Sequence, residues 1–177
     1  MKTNTSKFDD MFFQADQLIK DNQITQAVKI LEAIIEENPE YGRAYNHLGW
    51  VYETKYRSYE EAEECYKKSL QYSPEYTPIY LNYAYFLSNQ NRFKELEPLL
   101  DKALHVPGIY KPSIYNEYGI MYELMEKFDL AIDYYKKAIF GSTDNTNIKT
   151  YQDSIERCNQ KKQLLAPPHG GGRAGGD

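Results

Sequence analysis

Cysteine and histidine are scarce in this chain of 177 residues, and each shortage excludes a class of chemistry. The two cysteines, Cys65 and Cys158, lie far apart and fit no metal-binding or redox spacing, so we expect reduced, inert thiols. The three histidines share no ligand spacing with one another or with a pair of carboxylates. No metal or cofactor is therefore expected. Because no set of polar residues forms the convergent pattern of a catalytic site, we do not expect an enzyme.

Long apolar runs and an excess of positive charge are also missing. No stretch approaches the roughly 20 apolar residues that a transmembrane helix needs, and the first ten residues lack the apolar segment of a signal peptide. We therefore expect a cytoplasmic protein with no membrane partner. The net charge of −5 argues against binding to a phosphate backbone, so nucleic acid is not an expected partner.

Tyrosine, by contrast, is abundant, and one tyrosine-containing phrase occurs twice. The 18 tyrosines suit sites where the ring is buried and the hydroxyl reaches the surface. The phrase YNHLGWVYE at residues 45–53 returns as YNEYGIMYE at residues 115–123, and YLNYAYFLS at residues 80–88 is a looser copy. A small residue recurs with spacings of 34, 35 and 35, at Ala15, Gly49, Ala84 and Gly119. A second column follows 12 or 13 residues later, at Ala27, Ala62, Leu96 and Ala131.

Each period has the pattern of two antiparallel helices joined by a short polar turn. Apolar residues with helical spacing follow the second column, as in AVKILEAIIEE, and breakers such as Pro39, Pro74 and Pro107 come after them. Two helices pack closely only where one side chain is nearly absent and the facing helix fills the gap. Since glycine inside a helix costs about 1 kcal/mol relative to alanine, Gly49 and Gly119 predict tight helix crossings.

These columns resemble the tetratricopeptide repeat (TPR), whose pattern runs aromatic, Leu-Gly, Tyr, Ala, aromatic, Ala and Pro. The second period matches this pattern at Tyr45, Leu48, Gly49, Tyr52, Ala62, Tyr66, Ser69 and Pro74. The fourth matches it at Tyr115, Tyr118, Gly119, Tyr122, Ala131, Tyr135 and Ala138. The first period lacks the leading aromatic residue, and the third has Leu96 in place of Ala. The resemblance implies an all-α fold, a right-handed superhelical array of about four TPR helix-turn-helix repeats with a C-terminal capping helix.

The expected repeats span residues 7–40, 41–75, 76–109 and 110–144. Residues 145–165 follow as the capping helix, because an array of repeats needs its open apolar face covered. Its apolar face carries Ile148, Tyr151, Ile155 and Cys158. Residues 166–177 hold five of the ten glycines, and we expect them to form a flexible Gly/Pro-rich tail.

The resemblance also implies a function. Proteins of this family are non-catalytic interaction modules, and we expect an adaptor or chaperone-like scaffold that binds another protein or a peptide segment. The first helices of the repeats line the concave groove that holds such a segment. Carried onto this chain, the groove residues are Phe12, Asp16, Arg43, Asn46, His47, Trp50, Asn82, Tyr85, Asn116, Glu117, Ile120 and Glu123.

The chemistry of these positions limits the ligand. Each central repeat offers one asparagine beside an apolar side chain, and an amide can pair with any peptide backbone while an aromatic ring gives a rigid contact. Acidic groove residues, Glu53 among them, outnumber basic ones, so a neutral or mildly basic ligand is expected. For Trp50, packing against a neighbouring helix remains the alternative to ligand contact.

One TPR subclass holds a terminal carboxylate in a clamp of cationic side chains, and this clamp is missing. From the first repeat, the clamp positions read Phe12, Asp16, His47, Pro78 and Asn82. From the second repeat, they read Asn46, Trp50, Asn82, Ser113 and Glu117. Neither set supplies the pair of cations that a carboxylate needs. Two other functions stay open: a structural unit that forms homo-oligomers, and an RNA-binding helical repeat, which an acidic groove disfavours.

Overall fold

The computed structural model describes residues 5–165, and over this range the protein is all-α. Nine helices follow one another: α1 (Thr5–Lys20), α2 (Ile24–Glu37), α3 (Gly42–Val51), α4 (Tyr59–Tyr72), α5 (Pro78–Asn89), α6 (Phe93–Ala103), α7 (Lys111–Leu124), α8 (Phe128–Gly141) and α9 (Asn145–Leu165). A π-helical turn, Tyr52–Tyr56, extends α3. No β-strand occurs between residues 5 and 165, and the predicted all-α class is confirmed. The predicted tail, residues 166–177, lies outside the described residues.

The described part of the chain divides into two units, with the boundary between Ile109 and Tyr110. In the first unit, α1 packs against α2, α3 against α4 and α5 against α6. Contacts between α2 and α3, between α4 and α5 and between α3 and α5 join these three pairs. In the second unit, α8 contacts both α7 and α9. Consecutive helices thus pair within each unit, as the alternating columns predict.

Gly49 and Gly119 lie where the two helices of a pair cross, which confirms the predicted tight crossings. A Cβ atom added to Gly49 would lie 2.7 Å from Cδ1 of Tyr66 in α4. One added to Gly119 would lie 2.5 Å from Cε1 of Tyr135 in α8. Both tyrosines are fully buried. The missing side chain on one helix therefore makes room for an aromatic ring from the next.

The turn inside each helix pair contains one non-glycine residue in the left-handed backbone region. Its φ lies between 56° and 58° at Asn22, Arg57, Asn91 and Glu126. In the first turn, the N–H of Gln23 donates to the carbonyl oxygen of Leu18, five residues earlier, at 2.7 Å. In the second turn, the N–H of Ser58 donates to the carbonyl oxygen of Tyr52, six residues earlier, at 2.9 Å. In the second pair the second small column follows the first by 13 positions, where the other pairs have a spacing of 12, and the π-helical turn accommodates the extra residue.

The last helix, α9, has the division of surface expected of a helix that covers one end of a stack. It buries Tyr151, Ser154 and Cys158 and contributes Ile155 to the core cluster around Tyr135. Burial raises the pKa of the Cys158 thiol to about 11, so the thiol is protonated and unreactive near neutral pH. Within residues 5–165, every helix is too short or too polar to span a bilayer.

Candidate functional site

The predicted groove residues of α3 and α5 meet around a cavity in the first unit. Its volume is about 360 Å³, and it is lined by Trp50, Glu53, Thr54, Tyr66, Asn82, Tyr85 and Asn89. A second cavity of about 260 Å³ shares Glu53, Thr54 and Asn89 with the first. Ring surfaces, amides and one carboxylate therefore converge here, which is a typical composition for a recognition pocket.

Two of the three aromatic side chains at this cavity, Trp50 and Tyr85, are accessible from solvent. Tyr85 is 46% exposed, and Trp50 is partly exposed. Lys55 Nζ lies 5.3 Å from the centre of the Trp50 ring, so the ring face already contacts one cation. Partly exposed aromatic residues beside a pocket are the kind of side chain that dominates binding free energy at protein interfaces.

Glu53 brings a carboxylate to the cavity from the π-helical turn. Its Oε2 accepts a hydrogen bond from the hydroxyl of Tyr66 at 2.6 Å. Burial raises the pKa of Glu53, against the opposing effect of hydrogen bonds from Tyr66 and Asn89. No lysine or arginine between residues 7 and 165 forms an ion pair with Glu53. The carboxylate is therefore partly desolvated without a cationic partner among the described residues.

The asparagines of α3 and α5 bind each other. Asn82 Nδ2 donates to Asn46 Oδ1 at 3.0 Å. Asn46 is only 1% exposed, because the helices packed against α3 cover it. The sequence prediction, in contrast, requires Asn46 to face solvent in the groove. Asn82 is partly exposed, and this contact uses only one of its two amide N–H groups. Asn46 thus orients the amide of Asn82, and Asn82 faces the cavity.

The predicted residues of the first repeat form a separate network with α3. Phe12 is 3% exposed, and its ring centre lies 4.4 Å from Arg43 Cζ and 4.5 Å from the centre of the His47 ring. His47 Nε2 and Asp16 Oδ1 are 3.1 Å apart, and Lys20 Nζ donates to Asp16 Oδ2 at 2.6 Å. Burial lowers the pKa of His47, which favours the neutral imidazole. Asp16 and Arg43 thus have partners within the chain, while Arg43 Nε and His47 Nδ1 are buried without a hydrogen-bond partner among the described residues.

In the second unit, two predicted groove residues of α7 also bond to each other. Asn116 Nδ2 donates to Glu117 Oε1 at 3.1 Å. Glu117 is only 2% exposed, and burial raises the pKa of Glu117 to about 7. This burial differs from the solvent-facing position that the sequence prediction needs. Ile120 is partly buried and packs against the core cluster that contains Phe128.

Glu123 is the counterpart of Glu53 in the second unit, since each lies four residues after the glycine of its helix crossing. Glu123 Oε2 accepts a hydrogen bond from the Tyr135 hydroxyl at 2.8 Å. Two cations from α9 also bind it: Arg157 Nε and Lys161 Nζ each donate to Oε1 at 2.7 Å. Burial alone would raise the pKa of Glu123, but hydrogen bonds from Arg157 and Lys161 outweigh burial and hold the pKa at about 2.

The sequence prediction misses three residues of the cavity wall and the two cations of α9 that bind Glu123. Thr54, Tyr66 and Asn89 line the cavity without standing among the predicted groove positions. The available signal for Thr54 is the extra residue in the second repeat, which marks the π-helical turn. Arg157 and Lys161 belong to a helix outside the repeat period, so no column of the repeat points to them. No group of three or more metal-binding side chains occurs in the part of the chain that the structure describes.

Comparisons with known proteins agree with this arrangement of helices. The tetratricopeptide repeat family matches at residues 42–76 and 112–139. A search of curated protein sequences gives no match. Among solved structures, the chain is similar to PilF of Pseudomonas aeruginosa, with 21% identity, a TM-score of 0.79, and coverage of 90% of this chain and 71% of that one.

Two other solved structures are similar to the chain. PilW, a type IV pilus biogenesis factor, shares 19% identity with a TM-score of 0.71, over 86% of this chain and 78% of its own. A thermophilic TPR protein of Thermus thermophilus shares 20% identity with a TM-score of 0.69, over 86% of this chain and 84% of its own. At these identities, the likeness establishes the fold.

Proposed function

We propose that this chain, which is a tetratricopeptide-repeat protein, is a non-catalytic interaction module that binds a polypeptide segment against α3 and α5 of its first unit. The observation that supports this function is the cavity of about 360 Å³, where Trp50 and Tyr85 lie beside the amide of Asn82. The amide can bind a peptide backbone of any sequence, and the rings can receive an anchor side chain. An adaptor or chaperone-like role in the cytoplasm is part of the same proposal.

The proposal divides the predicted groove residues by what they contact. Trp50, Asn82 and Tyr85 contact the ligand, and Asn46 orients Asn82. The network of Phe12, Asp16, Arg43 and His47 joins α1 to α3. In the second unit, the proposal gives the four predicted residues, Asn116, Glu117, Ile120 and Glu123, a role in packing α7 against its own unit.

The bound segment is not recognised through a terminal carboxylate. Arg43 is the arginine of α3, and its Nη1 donates to Asp9 Oδ1 at 3.1 Å while its guanidinium carbon lies 4.4 Å from the Phe12 ring centre. Since a clamp needs cations free to bind the carboxylate oxygens, an arginine engaged in this way does not supply one. An internal stretch of the partner's chain fits this surface better.

Substitution of either exposed ring should weaken peptide binding. A display library of short random peptides, selected on the immobilised protein, supplies the probes, and affinities of the enriched peptides are then measured by fluorescence anisotropy. We expect Trp50→Ala and Tyr85→Ala each to raise the Kd by about thirtyfold, because truncating a central aromatic contact costs about 2 kcal/mol.

Phe140→Ala is the matched control, since Phe140 is an aromatic residue of α8 that is 89% exposed. It should leave the Kd of the same peptides unchanged. If all three variants bind as tightly as the wild type, the polypeptide lies on another surface. If the wild type enriches no peptide at all, the chain is not a peptide-binding module of this kind.

Self-association is the second candidate function, and one feature of the second unit favours it. Leu164 is 85% exposed and Leu165 is 65% exposed, and both line a hollow of about 330 Å³ together with Leu124 and Phe128. Apolar side chains gathered at one exposed surface often mark a protein contact. Sedimentation of the wild type beside Leu164→Ser separates a homo-oligomer formed here from a monomeric adaptor.

A further inference from the structure

We infer that the cavity beside Glu53 receives a lysine or arginine side chain of the bound polypeptide, whose cationic group pairs with the Glu53 carboxylate. This inference rests on the proposed function and names the anchor that the cavity selects. It goes beyond the general preference for a neutral or mildly basic ligand, because it assigns the charge to one pocket and one partner residue.

The second unit shows how such a carboxylate is satisfied. Glu53 and Glu123 lie four residues after Gly49 and Gly119, and each accepts a hydrogen bond from the tyrosine that packs on its glycine. Glu123 also binds an arginine and a lysine from α9, with both contacts at 2.7 Å. The same local structure therefore accommodates a guanidinium and an ammonium group beside the carboxylate.

At Glu53, a cavity lies beside the carboxylate, and no arginine or lysine from residues 7–165 binds it. Within residues 7–165, Glu53 receives hydrogen bonds from Tyr66 and Asn89 and forms no ion pair. The cavities of about 360 Å³ and 260 Å³ both border its side chain. A partly buried carboxylate without a counter-ion gains more from a bound cation than one in bulk water, because the lower local dielectric strengthens the attraction.

The other walls of the cavity suit the rest of a basic side chain. Lysine and arginine carry an apolar stem behind the charged group, and this stem packs well on aromatic rings. Trp50 and Tyr85 supply such rings, and Lys55 over Trp50 shows that this ring already accepts a cation. A lysine or arginine can thus place its stem on the rings and its charge at Glu53.

The test uses the peptides enriched by the wild-type protein and pairs a change in the protein with a change in the ligand. Glu53→Gln removes the charge but keeps an oxygen that can accept the hydrogen bond from the Tyr66 hydroxyl. In the peptide, arginine is replaced by citrulline, or lysine by norleucine. We expect each change alone to raise the Kd by about thirtyfold, and the two together to raise it little further, because both remove one ion pair.

Glu36→Gln is the matched control, because Glu36 is exposed on α2 and its replacement changes the net charge by the same amount. It should leave the Kd unchanged, which excludes a general attraction of basic peptides to an acidic protein. The substituted peptides keep the test valid if Glu53→Gln fails to fold.

The outcomes separate this inference from the proposed function. Enriched peptides that lack a required basic residue, or that bind Glu53→Gln as tightly as the wild type, would overturn the inference and leave the binding function standing. A wild type that enriches no peptide overturns both. Self-association that is lost in Glu53→Gln would assign the cavity to a second copy of the chain and would also overturn the inference.

Discussion

Gly49→Leu is expected to lower the free energy of unfolding by about 3 kcal/mol, at the upper end of the usual cost of overpacking a core. The first atom of the new side chain would lie 2.7 Å from the Tyr66 ring and 3.2 Å from the carbonyl oxygen of Ala62. Tyr66 cannot turn away easily, because its ring is fully buried and its hydroxyl is bonded to Glu53. Urea denaturation followed by circular dichroism measures the loss.

Gln71→Leu serves as the control for this substitution, because Gln71 is exposed on α4, the same helix that carries Tyr66. Leucine at Gln71 should change the unfolding free energy by less than about 0.5 kcal/mol. An unchanged urea midpoint for Gly49→Leu would mean that the two helices do not cross at this glycine, and the pairing described here would be wrong.

Glu117→Gln is expected to stabilise the protein, and the gain should depend on pH. Burial raises the pKa of Glu117 from an ordinary value of 4.5 to about 7. Between these pH values the folded state keeps a proton that the unfolded chain releases, so stability falls as the pH rises from about 4.5 to about 7. The penalty is complete above that range and amounts to about 3 kcal/mol.

Glutamine removes this penalty, because it cannot ionise and can still accept the hydrogen bond from Asn116. Urea denaturation at pH 8 should therefore show a gain of about 3 kcal/mol for Glu117→Gln, and at pH 4.5 a gain below about 0.5 kcal/mol. Glu156→Gln, an exposed change on α9, should give no comparable gain at either pH. An equal stability of Glu117→Gln and the wild type at pH 8 would show that Glu117 is not buried as described.

The helix pairs could be predicted from the sequence because the packing constraint repeats along the chain. Gly49 and Gly119 stand in one column and the rings that pack on them, Tyr66 and Tyr135, in another, so each crossing leaves a local trace in the sequence. The π-helical turn also leaves a trace, one extra residue between the columns of the second repeat.

The burial and the bonding partners of each groove side chain could not be predicted, because they depend on which neighbouring side chains contact it in the folded structure. Asn46 and Asn116 stand at matching places in their repeats, yet Asn46 is buried and bonded to Asn82, whereas Asn116 is partly exposed and bonded to Glu117. Glu53 and Glu123 are equivalent in the repeated phrase, yet α9 supplies cations to Glu123 alone. The cations come from a helix outside the repeat, whose register against α8 is set by packing and not by the period.

The central claim is that a polypeptide binds beside Trp50 with a basic side chain at Glu53, and the lone tryptophan allows a direct measurement. Protein labelled with 5-fluorotryptophan gives one fluorine resonance, which reports on Trp50. Adding an enriched peptide that contains lysine or arginine should shift this resonance, and its norleucine or citrulline counterpart at the same concentration should shift it far less. A resonance that stays unchanged while anisotropy shows the peptide fully bound would contradict the claim and place the binding site elsewhere.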